Sequence, residues 1–132
     1  MTLRKLTVGG ALVLALAFTA GSPPEHAARA QTSASAAPPA TYARCAVCHT
    51  ADKGGKDKLG PNLYGVFGSA AGQGRFAYSD ALKRSGLKWN EATLHKWLEN
   101  PRALVPGNRM SFPGIKDAAK RQEIINYLKK QK

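Results

Sequence analysis

The sequence predicts a small all-α domain of about four helices joined by long loops. The chain has 132 residues, which leaves room for one domain, and its 13 glycines and 8 prolines are typical of a loop-rich globular protein. Several segments carry a capping residue followed by apolar positions at helical spacing. No alternating strand pattern of useful length survives the glycines between Gly54 and Gly74.

Three of the helices can be bounded from their caps and stops. The first is expected to begin at Ser79 or Asp80 and to run through Arg84. The other two are expected at residues 91–100 after Asn90 and at residues 118–130 after Asp117. Gly86 stops the first of these helices and Pro101 the second. In the last helix, Ile124, Tyr127 and Leu128 form a stripe that we expect to be buried.

Residues 1–30 have the features of a signal peptide, and residues 31–40 those of a flexible tether rich in Ala, Ser and Pro. Arg4 and Lys5 precede an apolar run that is shorter than the roughly 20 residues a membrane span needs. The sequence Ala28-Arg29-Ala30 suits signal peptidase, although cleavage near Ala20 or Ala36 stays open. We therefore expect residues 41–132 to form the domain of an exported, periplasmic bacterial protein, or one tethered by a retained leader.

The expected mature protein is strongly basic. After residue 30 the chain has 17 Lys and Arg side chains and 7 Asp and Glu side chains, a net charge of +10. Such a field favours fast association with an acidic protein, an anionic membrane or a nucleic acid. Export and the absence of RNA-binding signatures disfavour nucleic acid. The charge therefore predicts an acidic protein partner.

The sequence Cys45-Ala46-Val47-Cys48-His49 has the C-x-x-C-H spacing of covalent haem attachment. Residues three apart share one face of a helix, so both thiols can reach the vinyl groups of one porphyrin while the next residue presents its imidazole to the iron. A thioredoxin-type redox pair would open a helix after a strand, and none is predicted before Cys45. A structural zinc site needs four ligands, and few other histidines are available. The motif predicts one haem c.

Met110 is the expected second iron ligand. Apart from Met1 it is the single methionine of the chain, and methionine is a usual axial ligand. It lies in the turn-rich run 106–114, which can lay a thioether across the haem from a loop. His95 competes in principle, but it lies beside Lys96 on the polar side of its helix, where we expect a solvated surface histidine.

The chain from about Thr41 to Lys130 resembles the soluble class I cytochrome c of the mitochondrial and proteobacterial type. The shared motifs are Cys45-Ala46-Val47-Cys48-His49-Thr50, Lys53-Gly54-Gly55-Lys56, Gly60-Pro61-Asn62-Leu63, Tyr78-Ser79-Asp80-Ala81, Trp89, Leu98-Glu99-Asn100-Pro101, Pro106-Gly107 with Met110, and Tyr127-Leu128-Lys129-Lys130. The resemblance implies the small cytochrome c fold, with helices and long loops wrapped round one covalently attached haem. It also implies that the carbonyl of Pro61 accepts the proton of the His49 imidazole.

The resemblance assigns further residues to the haem pocket. Tyr78 and Trp89 match the family's hydrogen-bond donors to a buried haem propionate, and Phe112 matches the aromatic residue beside the exposed haem edge. Thr41 stands where the family has a phenylalanine, which predicts weak docking of the first helix on the last one. The basic residues that match the ring around the haem edge are Arg44, Lys56, Lys58, Arg102, Arg109 and Lys116.

These features together predict an electron-transfer protein rather than an enzyme. Two strong axial ligands leave the iron without an open position for substrate. A small haem peroxidase is the rival, but no distal acid-base residue is apparent for peroxide cleavage. The expected function is single-electron transfer by a monomer between membrane or periplasmic redox complexes, such as a quinol–cytochrome c reductase, a terminal oxidase or a reaction centre. The sequence is compatible with a role in either a respiratory or a photosynthetic electron-transport chain.

Overall fold

A computed structural model describes residues 37–132. The expected signal peptide and most of the expected tether lie outside the described residues. A 3-10 turn at Ala40–Tyr42 leads into α1, and the five α-helices are α1 (Ala43–Ala46), α2 (Asp80–Arg84), α3 (Glu91–Glu99), α4 (Pro101–Leu104) and α5 (Ala118–Lys130). Residues 37–132 contain no β-strand, so the all-α prediction is confirmed. No helix in this part of the chain is long and apolar enough to cross a membrane.

The caps predicted from sequence begin three of these helices. The Ser79 hydroxyl accepts the backbone N–H of Leu82, and the Asn90 side chain accepts that of Thr93. The Asp117 carboxylate accepts two N–H groups in the first turn of α5. Each cap satisfies a donor that has no partner within its helix, which is why these helices begin where they do.

Asn100 ends one helix and begins another. Its backbone N–H donates to the carbonyl of Lys96 at the end of α3, and its side chain accepts the N–H of Ala103 in α4. Pro101 takes the first position of α4, where a missing N–H costs nothing. The prediction that Pro101 ends the second helix is thus confirmed, while the helix that the same residue begins was not predicted.

The core lies mainly between α3 and α5. Its buried side chains include Leu94, Trp97 and Leu98 from α3 and Ile124, Ile125, Tyr127 and Leu128 from α5. The predicted stripe of α5 is buried as expected, and Ile125 joins it at 0% exposure. The buried ring of Trp97 lies against that of Trp89, with the ring centroids 5.2 Å apart.

Tyr42 docks the start of the domain on α5. It is 3% exposed, and its ring centroid lies 4.6 Å from that of Tyr127. Thr41 adds a hydrogen bond to Glu123 at 2.9 Å. The prediction of weak docking considered only Thr41, which replaces the family's phenylalanine. In the structure the aromatic contact with α5 comes from the neighbouring residue, Tyr42.

Candidate functional site

The first part of the site is the helical turn that carries the two cysteines. The backbone N–H groups of Cys48 and His49 both donate to the carbonyl of Cys45, at 3.0 and 2.9 Å. The turn of α1 therefore continues past Ala46 and holds the three chemically active residues together. Cys45 is buried and Cys48 half-buried, and the two form no disulfide with each other. Burial raises the pKa of Cys45 to about 11, which keeps its thiol neutral at physiological pH.

His49 is held in one tautomer. Its Nδ1 lies 2.7 Å from the carbonyl oxygen of Pro61. Because a carbonyl oxygen only accepts, Nδ1 carries the proton and donates it, and Nε2 keeps a free lone pair. Burial lowers the pKa of His49, the bond to Pro61 opposes this effect, and nearby Lys58 adds to it. The result is a neutral imidazole, the form that binds a metal ion.

Gly60 makes room for the His49 ring. A Cβ atom at this buried position would lie 2.7 Å from Nδ1 of His49 and 2.8 Å from its Nε2, closer than carbon and nitrogen approach. The N–H of Gly60 donates to the carbonyl of Cys48 at 2.8 Å, so the imidazole lies against bare backbone. Gly60 belongs to one of the family motifs found in the sequence, but no role was predicted for it. The sequence feature that could have identified it is its position directly before Pro61, whose carbonyl accepts the hydrogen bond from His49.

A loop between α4 and α5 presents Met110. Asn108 fixes this loop, because its side-chain N–H groups donate to the carbonyls of Pro101 and Val105, and its side-chain oxygen accepts the N–H of Met110 at 2.9 Å. Arg109 donates to the carbonyl of Ala77. Met110 itself is half-buried. The two residues directly before Met110 are therefore fixed by hydrogen bonds, and Asn108 is a positioning residue that sequence reasoning missed.

The expected haem-pocket residues share one apolar cluster. Cys45 and Trp89 belong to the buried core, and Tyr78, Met110 and Phe112 pack against it while staying partly exposed. Backbone pairing places Trp89, whose N–H donates to Ser69 and whose carbonyl accepts from Gly68. Burial raises the pKa of Tyr78, with a smaller contribution from Asp57, so its hydroxyl remains a donor.

This arrangement fits a haem with two thioether bonds. Two cysteines lie on one turn, and an imidazole with a free Nε2 follows them. The apolar cluster that contains Cys45 also has partly exposed members, among them Tyr78, Met110 and Phe112. A flat apolar cofactor would cover these side chains. No cluster of three or more His, Cys, Asp or Glu side chains suited to a metal ion occurs among residues 37–132.

His95 does not lie where the sequence led us to expect. It is half-buried rather than fully solvated, with Nε2 lying 2.8 Å from the side-chain oxygen of Gln122. Nε of Arg121 donates to its Nδ1 at 3.4 Å. Both ring nitrogens are therefore engaged with α5. The expectation failed because the polar side of α3 at this position faces a polar part of α5 instead of water.

The six basic residues assigned to docking are all exposed. Nζ of Lys58 donates to the carbonyl of Ala46 at 2.7 Å, and the guanidinium of Arg109 donates to the carbonyl of Ala77. These hydrogen bonds orient the side chains of Lys58 and Arg109. Arg44 and Lys56 make no side-chain hydrogen bond or ion pair with any residue in the described range. Their charge is thus available to a partner.

This chain is similar to known proteins in both sequence and fold. The family model described as Cytochrome c matches residues 27–132. Cytochrome c of Gibberella zeae is 46% identical over 87 residues, covering 65% of this chain and 82% of that protein. A cytochrome c homolog of Bradyrhizobium diazoefficiens is 45% identical, covering 64% of this chain and 47% of that protein. The structure of cytochrome cH from Methylobacterium extorquens has a TM-score of 0.64 and 48% identity, and the match covers 67% of this chain and 90% of that one.

The matched family consists of electron-transfer proteins rather than enzymes, which bind one covalently attached haem c. In this chain Cys45 and Cys48 occupy the C-x-x-C-H positions. The sequence match, the helical fold and the arrangement of the two cysteines all indicate the same family. The chain belongs to the cytochrome c family and is an electron-transfer protein with one covalently attached haem c.

Proposed function

We propose that this protein is a periplasmic monohaem cytochrome c that shuttles single electrons between membrane or periplasmic redox complexes. Cys45 and Cys48 would hold the haem through two thioether bonds, and His49 and Met110 would bind its iron. The observation that carries the proposal is the hydrogen bond from His49 Nδ1 to Pro61, because it leaves Nε2 with a free lone pair that can bind a metal ion. The bound haem supplies one-electron exchange between ferric and ferrous iron.

The residues around the iron have distinct tasks. Pro61 and Gly60 hold the imidazole in orientation, and Asn108 holds the loop that presents the thioether of Met110. With both His49 and Met110 bound, the iron would have no position open for a substrate, which favours outer-sphere electron transfer over catalysis. Tyr78 and Trp89 are proposed to donate to a propionate, and Phe112 to exclude water beside the haem edge.

The proposed location rests on the leader. Positive residues followed by a short apolar run and a small-x-small site are the pattern of export in bacteria. N-terminal sequencing of the mature protein tests this part. A start near Gln31 supports a released protein, and a start at Met1 or Thr2 indicates that the leader is retained as a membrane tether.

The proposed partners are acidic redox proteins of the quinol–cytochrome c reductase, terminal oxidase or reaction-centre type. Residues 37–132 have 17 basic and 7 acidic side chains, a net charge of +10. The proposed docking residues Arg44, Lys56, Lys58, Arg102, Arg109 and Lys116 are exposed. A positive face of this kind steers a basic carrier to an acidic partner.

Intact mass after denaturation tests the haem assignment. Protein exported from a host with c-haem assembly machinery is extracted with acid-acetone, which removes non-covalent haem and leaves thioether-bound haem in place. We expect the mass of the mature chain plus one haem. A mass without haem, with two thiols or a disulfide at Cys45 and Cys48, contradicts the proposed chemistry. A reversible one-electron titration of the same sample then tests the carrier function.

A further inference from the structure

The buried guanidinium of Arg121 fastens the end of the loop that presents Met110. Arg121 is 8% exposed, and its Nη1 donates to the carbonyls of Ile115 and Lys116, each at 2.7 Å. The N–H of Ile115 donates in turn to the carbonyl of Leu98 on α3 at 2.8 Å. The loop is therefore attached to α5 through the Arg121 side chain and to α3 through backbone hydrogen bonding.

His95 accepts a hydrogen bond from the same guanidinium. Nε of Arg121 donates to Nδ1 of His95 at 3.4 Å, and Nε2 of His95 lies 2.8 Å from the side-chain oxygen of Gln122. The side-chain nitrogen of Gln122 donates to Asn126 at 3.0 Å and also to Glu91, so its oxygen is the atom that faces His95. Because an amide oxygen only accepts, Nε2 carries the proton and Nδ1 offers its lone pair to Arg121. These contacts require a neutral His95.

A second proton on the His95 ring would disrupt this contact. It would occupy Nδ1, so that two N–H donors and two positive charges would face each other at the present 3.4 Å. Histidine is the side chain whose ordinary charge change falls between about pH 5 and 8. His49 is the other histidine of residues 37–132, and it is a proposed iron ligand. A histidine-dependent response of this domain to mild acid is therefore expected to come from His95.

The other charged groups around His95 oppose this effect only weakly. The hydrogen bond from Lys129 and, to a smaller extent, the nearby His95 lower the pKa of the Glu91 carboxyl. That carboxylate lies 2.5 Å from Nζ of Lys129 and its side chain is 48% exposed, so the lysine and water screen its attraction for a proton on His95. The remaining charged neighbours on α3 and in the loop are exposed, namely Lys96, Glu99 and Lys116. Arg121 is the buried member of this set, so its repulsion is screened least.

We propose that Arg121 is a positioning residue for the loop that presents Met110, and that protonation of His95 releases it. The proton and Arg121 compete for Nδ1 of His95, so the closed loop binds the proton less tightly than the open loop does. By linkage, a fall in pH through the range of histidine favours opening, and a rise in pH restores the closed loop. The inference rests on the proposed function in taking Met110 as the iron ligand, and it adds that mild acid makes this ligand easier to release.

Hydrogen exchange of the mature holoprotein measures the opening of residues 106–116. Exchange rates are compared at about pH 7.5 and about pH 5, after division by the intrinsic exchange rate at each pH. We expect the opening equilibrium constant of this segment to be about fivefold larger at the lower pH, as the loss of one hydrogen bond predicts. Residues 52–62 serve as the internal control, because the side chains of His95 and Arg121 bond elsewhere, and the ratio for this segment should stay near one.

Two variants separate His95 from other titrating groups. His95→Gln has no titrating ring, so its opening constant should be the same at both pH values. Adding Lys96→His to that variant moves the imidazole to the exposed neighbouring position, away from Arg121, and the ratio should again stay near one. A further measurement needs no substitution: in the reduced holoprotein, the NMR signal of the Arg121 Nε–H should shift with pH at the same midpoint as the His95 ring.

The proposal is wrong if residues 106–116 open equally at both pH values, or if His95→Gln keeps the pH dependence of the unmodified protein. It is also wrong if the Arg121 Nε–H signal does not follow the titration of His95. These readouts do not depend on which side chain binds the iron, whereas the far-red absorption band tests ligation by Met110. Failure of the proposed iron ligand and failure of the loop response therefore give different results.

Discussion

Replacing Gly60 by alanine isolates the contact between the backbone and the imidazole of His49. The new Cβ would lie 2.7 Å from Nδ1 and 2.8 Å from Nε2, so the ring has to move. Overpacking of this kind costs about 1–3 kcal/mol. Losing the hydrogen bond to Pro61 adds about 1 kcal/mol. We expect the free energy of unfolding to fall by roughly 2–4 kcal/mol, which lowers the midpoint of thermal unfolding by roughly 10–30 °C in a domain of this size.

The assay is urea unfolding of the holoprotein, followed by far-UV circular dichroism, with the reduction potential measured on the same samples. Gly65→Ala is the matched control, because Gly65 has a φ of 70° and open space around its Cβ position. That variant pays backbone strain alone, about 1–2 kcal/mol, and leaves His49 in place. In Gly60→Ala the displaced imidazole of His49, the proposed iron ligand, would be a weaker electron donor, so the reduction potential should rise. Equal loss of stability in both variants, with an unchanged potential in each, refutes the reasoning.

Three further outcomes are expected. Met110→Ala should abolish the far-red sulfur-to-iron absorption band of the ferric protein, lower the reduction potential and permit rapid cyanide binding, since the iron loses a ligand. Tyr42→Phe should raise the free energy of unfolding by about 1 kcal/mol, because the buried Tyr42 hydroxyl has no hydrogen-bond partner among residues 37–132. Reversing charge with Arg44→Glu and Lys56→Glu should slow electron transfer to an acidic partner at low ionic strength, by a factor that shrinks as salt is raised.

Each of these outcomes has its own control. His95→Ala should leave the far-red band intact and lower only the free energy of unfolding, since His95 bonds to Gln122 on α5. Loss of the band in that variant would show that Met110 is not the sole candidate for the second iron ligand. Lys130→Glu with Lys132→Glu is matched in charge to the docking pair. It avoids Lys129, which pairs with Glu91 at 2.5 Å. Equal slowing by both pairs would show that net charge alone matters.

Tyr42 also gives a dependence on pH whose sign can be stated. Burial, more than the neighbouring Cys45 and Tyr127, raises the pKa of its phenol above the ordinary value of 10. The folded state therefore prefers the neutral phenol, so this contribution is complete below about pH 10 and is lost as pH rises further. Tyr42→Phe should flatten the fall of stability that urea unfolding measures as pH is raised above about 10. An equally steep fall in the variant would assign that loss to other groups.

Local signals in the sequence were sufficient for most of the fold. Capping side chains act within one helical turn, so Ser79, Asn90 and Asp117 could be read without knowledge of the tertiary structure. The C-x-x-C-H motif is equally local. The start of α4 was missed because Asn100-Pro101 was read as a stop, whereas the same pair satisfies the rules for a helix start.

Long-range contacts were the part that sequence could not supply. The environment of His95 depends on which residues of α5 face it, and the role of Tyr42 depends on its ring meeting Tyr127 across 85 positions of sequence. Arg121 illustrates the same limit. Its charge suggests a surface residue, yet it is 8% exposed and donates to the carbonyls of Ile115 and Lys116 at 2.7 Å.

The loop that presents Met110 begins and ends at the same corner of the domain. It leaves through Asn100, and it returns where the N–H of Ile115 donates to the carbonyl of Leu98 at 2.8 Å. At Gly114, with a φ of 93°, the chain passes so close to the backbone of Glu99 that a side chain would collide with it. Since both ends are fastened to α3, the segment between them can detach and re-form as a cooperative unit while the α3–α5 core stays folded. Release of Met110, the proposed iron ligand, would then not require global unfolding, and hydrogen exchange should show residues 106–113 opening at lower free energy than α5.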